Sequence, residues 1–166
     1  MSKKLHLIAV IWLFLCSALE TRGTAPVNDH FADRIVLTGT EIIVHASNEG
    51  ATIELGEPTP FERTVWWSWT APTNGFAQVI VGAPFDAGLL VLAGTELVQL
   101  QRVTNGISGD SGFPVAIFEV TAGTAYQIVV GGPLSTFGFG EFSLALTLTT
   151  PSSPVTLLIS RPRRTH

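Results

Sequence analysis

Beyond residue 25 the chain never sustains an apolar repeat of 3.6 residues, and this lack of amphipathic helix is the strongest constraint on its fold. Apolar residues recur instead at every second position, in short runs closed by Gly, Pro and Asn. The cleanest run is EFSLALTLT (141–149). Phe142, Leu144, Leu146 and Leu148 share one face of a strand; Ser143, Ala145, Thr147 and Thr149 share the other. Further strands are predicted at EIIVHAS (41–47), TVWWSWTA (64–71), FAQVIV (76–81), GLLVLAG (88–94), ELVQLQRV (96–103), VAIFEV (115–120) and AYQIVV (125–130). Pro72 and the Asn74-Gly75 pair join 64–71 to 76–81 as a hairpin. Seven to nine short strands at this spacing predict an all-β fold, an antiparallel two-sheet β-sandwich.

Three of the four tryptophans fall within four positions, Trp66, Trp67 and Trp69. On a strand, Val65, Trp67 and Trp69 point one way, and that wholly apolar face belongs in the core. Phe118, Tyr126, Ile128, Phe142, Leu144 and Leu146 are the expected partners in the core. Trp66 points the other way with Ser68 and Thr70. Either the preceding segment covers Trp66, or the ring is an exposed platform for a ligand.

The first 25 residues read as a signal peptide. Lys3 and Lys4 precede an apolar run from Leu5 to Leu19, short for a membrane span, and small residues allow cleavage between 18 and 25. The expected partner membrane is therefore met only during export, and the expected location is secreted, cell-surface or envelope. Residues 26–150 form the sandwich domain, and 151–166 a PSSP linker with a truncated tail. The single cysteine, Cys16, lies in the signal peptide, so the mature chain has no disulfide and relies on its core. Between Pro26 and Thr150 twelve acids face three arginines and no lysine. That excess of negative charge repels phosphate backbones and excludes nucleic acid as a partner.

Five blocks in order resemble a known family: NDHFADRIVLTG (28–39), SNEGATIELGEP (47–58), VWWSWTAPTNG (65–75), FDAGLLVLAGTEL (85–97) and VTAGTAYQIVVGG (120–132). Together they resemble the bacterial pre-peptidase C-terminal domain, in the form found as a module of large secreted and surface proteins. The resemblance implies a jelly-roll-like β-sandwich and a non-catalytic accessory role. Some relatives bind calcium, and some bind collagen or polysaccharide. Asn28 and Asp29 match an Asn-Asp pair that supplies ligands in calcium-binding relatives. The acids that usually precede this pair are replaced by Pro26 and Val27. Gly106 and Ile107 likewise stand in place of the acids in the loop after 96–103.

No cofactor is required by this reading, but calcium is a candidate. Its oxygen ligands would come from Asn28 and Asp29 with Asn48, Glu49 and Glu54. The competing role for Asp29 is to cap a short helical turn over HFAD and tie down the N-terminus. A carbohydrate- or matrix-binding module would use the aromatic faces of Trp66, Phe137 and Phe139. GDSGFP (109–114) is one residue from a serine-protease nucleophile motif, with Ser111 in the nucleophile's place. Its partner histidine would have to be His30 or His45, neither in the required context, and a Gly/Ser/Asp loop explains the same residues. Asp86, after Pro84, is expected to accept backbone N–H bonds in its turn.

Overall fold

The computed structural model describes residues 24–108, 112–132 and 138–150. The signal-peptide segment, Ser111, Phe137 and the C-terminal tail lie outside the described residues. Ten strands follow in order: β1 (Ile35–Leu37), β2 (Glu41–Ser47), β3 (Glu62–Thr70), β4 (Gly75–Gly82), β5 (Gly88–Ala93), β6 (Gln101–Asn105), β7 (Ile107–Ser108), β8 (Pro114–Val120), β9 (Ala125–Gly132) and β10 (Glu141–Thr149). They form two five-stranded sheets, ordered β1-β3-β9-β5-β6 and β2-β10-β4-β8-β7. The fold is all-β, a two-sheet sandwich whose successive strands pass repeatedly from one sheet to the other.

Four details depart from the sequence expectation. The hairpin predicted for 64–71 and 76–81 does not form: β3 and β4 lie in different sheets, β3 beside β1 and β9 and β4 beside β10 and β8, so the turn at 72–75 carries the chain across the sandwich. Ten strands replace seven to nine, because β1 and β7 span only three and two residues and carry no readable alternation. The 96–103 run is not one strand. It opens as a 3₁₀ turn, Leu97–Gln99, after Gly94 takes the left-handed backbone (φ 125°) that turns the chain away from β5. The pairing is not wholly antiparallel either: β1 runs parallel to β3, with Ile35 opposite Trp67 and Leu37 opposite Trp69. A parallel neighbour needs a long crossover, and here the chain makes it through β2 in the other sheet and the loop that follows.

Alternation puts one side chain in two between the sheets. Val65, Trp67, Trp69, Phe118, Tyr126, Ile128, Phe142, Leu144 and Leu146 all lie there, each at most 7% exposed. Trp67 of one sheet meets Phe142 of the other edge-on, with ring centroids 5.9 Å apart. Trp69 donates its indole N–H to the carbonyl of Gly39 at 3.0 Å, so the polar end of a fully buried ring is satisfied. Aromatic side chains bury roughly 150–250 Å² each, so the two indoles contribute several kcal/mol at about 25 cal/mol per Å².

A second, smaller cluster lies on the outer face of the first sheet. Trp66 of β3, Leu90 and Leu92 of β5, and Val129 of β9 pack there with Phe31, beside Phe61, Leu97 and Leu100. This explains why β5 is apolar at almost every position: it is buried on both faces. Among the described residues no helix is long and apolar enough to cross a membrane.

Candidate functional site

The outer-face cluster contains Trp66, and it is closed by two irregular segments that carry Asn28, Asp29 and Glu54. The N-terminal strap (28–33) reaches β3 through Asn28. The Asn28 carbonyl accepts from Trp66 N at 3.0 Å, and its side-chain Nδ2 donates to Trp66 O at 3.0 Å. Phe31 then meets Trp66 edge-on, with centroids 5.3 Å apart and planes at 89°. The loop that follows Ala51 completes the cover. Glu57 accepts the Trp66 indole N–H at 3.2 Å and the Thr64 hydroxyl at 2.7 Å. Trp66 is 0% exposed and offers no face to a ligand, which corrects the platform reading. The face it occupies is outward, but strap and loop bury it.

Most of the proposed calcium donors already bond to the chain itself. Asp29, 5% exposed, accepts Thr52 N at 2.6 Å on one oxygen and the Thr52 hydroxyl at 2.9 Å on the other. It therefore ties the N-terminal strap to the loop rather than capping the 3₁₀ turn at Phe31–Asp33, whose N-cap is His30 with no side-chain cap bond. Glu54 accepts Phe31 N at 3.1 Å. Asn48, wholly buried, donates to the carbonyls of Arg63 (3.2 Å) and Gly138 (3.1 Å) and accepts Gly140 N at 2.9 Å. Glu49 is exposed. Calcium wants six to eight converging oxygens. Among the described residues no three His, Cys, Asp or Glu side chains converge.

Asn48 has a specific structural task. Between Glu62 and Val65 the register of β3 with β9 slips, and Arg63 takes a left-handed backbone, φ 52°. That conformation is uncommon outside glycine and must be held by its surroundings. The Asn48 amide grips the Arg63 carbonyl, while the Arg63 guanidinium lies 4.4 Å from the centre of the Phe139 ring. Phe139 is thus half-buried under a cation rather than freely displayed.

Glu57 is the titratable group whose pKa clearly shifts among the described residues. Burial of its carboxyl raises the pKa, outweighing the opposite pull of the Thr64 hydroxyl, the Glu54 N–H and the Trp66 indole; the nearby Glu54 charge raises it further.

Among the described residues, two depressions are open to solvent. One, of about 500 Å³, lies between the N-terminal segment and β2 and includes Val27, Ile35, His45 and Glu49. His45 is exposed there, as a rim residue. The other, of about 300 Å³, is lined by Phe61, Asp86, Arg102 and Asn105 with Gly88 and Gly106. A Cβ on Gly88 would run into the Phe61 ring, and one on Gly106 would meet Leu89 at 2.8 Å. The two glycines let the wall come close, so the half-buried Phe61 ring lies against backbone. Asp86 is exposed on this rim rather than folded into its turn. Phe61, Arg102 and Asn105 were not legible as a group, because two distant segments supply them, the residue before β3 and strand β6. The available cue was a glycine at the start of the buried strand β5 and another just after β6.

No family model matches the chain, and no curated protein matches it in sequence. Among solved structures, it is similar to the pre-peptidase C-terminal domain of collagenase from Bacillus anthracis: 13% identity, 75% of this chain and 98% of that one, TM-score 0.46. It is also similar to PliG, a periplasmic inhibitor of g-type lysozyme from Aeromonas hydrophila: 16% identity, 70% and 96%, TM-score 0.46. A third is the Yersinia pseudotuberculosis-derived mitogen, at 11% identity, 74% and 97%, TM-score 0.44. The first belongs to the family whose blocks the sequence resembles. At these values the agreement reaches the fold at most, and assigns neither family nor function.

Proposed function

We propose that the chain is a secreted, non-catalytic β-sandwich module of the pre-peptidase C-terminal type, an accessory or stabilising domain of an extracellular or cell-surface protein. One observation carries this reading. The buried and half-buried polar side chains that would be first choices for chemistry are committed to the chain's own backbone and loops. The side chains of Asn28, Asp29, Asn48, Glu54 and Glu57 are each hydrogen-bonded within the chain, closing a strap, a bulge or a loop. Such groups are braces, and moving them to hold a substrate would leave buried N–H groups and carbonyls without partners.

The test is expression of the full chain in a bacterium with a secretory pathway, followed by intact mass and a fluorophosphonate serine probe. The expected product is exported, has been cleaved between residues 18 and 25, and takes up no probe. Retention of the unprocessed chain in the cytoplasm, or probe attached at Ser111, would overturn the proposal. The depression beside Phe61 favours a second reading, a carbohydrate- or matrix-binding module, which shares the fold and the export and adds a ligand.

A further inference from the structure

We infer that the depression formed by Phe61, Asp86, Arg102 and Asn105 is a binding site for a neutral saccharide. The inference rests on the second reading above, and names its site and ligand class. Sugars are held by an apolar ring face for their C–H groups and by a few fixed donors and acceptors for their hydroxyls. This depression supplies both. Phe61 is half-buried, with its ring laid against the backbone at Gly88, so it is anchored from one side. Asp86 accepts only, Arg102 donates only, and Asn105 does both. All three are exposed, and among the described residues neither Asp86 nor Arg102 enters an ion pair. Among the described residues the Asp86 and Arg102 side chains also make no hydrogen bond, unlike the acids around Trp66.

Size and charge narrow the ligand. About 300 Å³ is at the small end of ligand pockets and suits one or two sugar rings of a longer chain. Twelve acids against three arginines between Pro26 and Thr150 disfavour a polyanion, so the saccharide is neutral. An extended peptide would instead add to the free edge of β6. That edge is irregular, since the register of β6 on β5 slips between Val91 and Leu92. A slipped register bends an edge away from strand addition and re-aims its side chains. Arg102, opposite Leu92, lies beside that slip.

The test is affinity electrophoresis of the full-chain protein through gels containing mixed-linkage β-glucan, arabinoxylan or galactomannan, with gelatin as the peptide control. Retardation is expected in at least one neutral polysaccharide and not in gelatin. Asp86→Ala and Arg102→Ala, both at exposed positions, should each weaken that retardation about tenfold, the loss of one charge-assisted hydrogen bond. Phe61→Leu should weaken it further, and is scored only if its melting matches the parent's. Absence of retardation by every polysaccharide overturns the site, as does retardation that Asp86→Ala and Arg102→Ala leave unchanged, or retardation by gelatin alone. Each of those results leaves the module reading intact, because export, processing and the serine probe are measured separately.

Discussion

Replacing Trp66 with alanine decides whether this indole is cover or contact. An exposed platform would lose a ligand and almost no stability, since surface substitutions usually stay within about 0.5 kcal/mol. A sealed ring behaves differently. At 0% exposure, Trp66 buries roughly 200 Å² of largely apolar surface, worth about 5 kcal/mol at about 25 cal/mol per Å², and measured Trp→Ala changes in cores run about 3–5 kcal/mol. The edge-on contact with Phe31 is lost too, and the Glu57 carboxylate loses one of its donors. The expected cost is about 4 kcal/mol, seen as a lower urea midpoint with an unchanged slope, or a melting temperature lower by roughly 15 °C for a domain of this size. Where that exceeds the stability available, Trp66→Phe serves instead. It keeps the contact with Phe31, loses the N–H bond to Glu57, and should cost about 1–2 kcal/mol. A Trp66→Ala variant as stable as the parent within about 0.5 kcal/mol would refute the sealed outer face, and with it the account of strap and loop.

Glu57 predicts a pH dependence with a definite sign. Its folded pKa lies above the unfolded value because burial penalises the carboxylate, so its stabilising contribution is complete at acid pH and is lost as pH rises through the folded pKa. Urea midpoints at acid and neutral pH should therefore show Glu57→Gln gaining on the parent as pH rises; a gain confined to the acid side would contradict the burial argument. Asn48→Ala should cost about 3 kcal/mol, because it leaves two buried carbonyls and the Gly140 N–H without partners. Asn48→Asp should not rescue it, since a carboxylate cannot donate to the Arg63 and Gly138 carbonyls; denaturant melts of both variants check this, and a stable Asn48→Asp would disprove the clamp.

Much of the sandwich was legible. β2 occupies 41–47 and β10 occupies 141–149, as alternation indicated, because a period of two leaves one solution when one face must be buried. The same argument put Trp67 and Trp69 between the sheets. It missed β1, whose three residues are held by a parallel partner far along the chain, and β7, whose pair is opposite β8. It also read 96–103 as a strand, although a glycine turn and a 3₁₀ turn begin that segment. Short elements like these carry too few positions for a period to show, and tertiary pairing decides them.

The candidate site divides along the same line. Asn28, Asp29, Asn48 and Glu54 stood out in sequence as oxygen donors, and they are indeed the residues with polar work to do. Nothing local could say that their partners are Trp66, Thr52, Arg63, Gly138, Gly140 and Phe31 rather than an ion, because each of these contacts except Arg63 lies more than twenty positions away. Sequence by itself determined which side chains share a strand face, since pleating is a property of neighbouring residues. Only the tertiary structure decided whether an outward face meets water or is covered, since that depends on where a distant strap and loop come to rest.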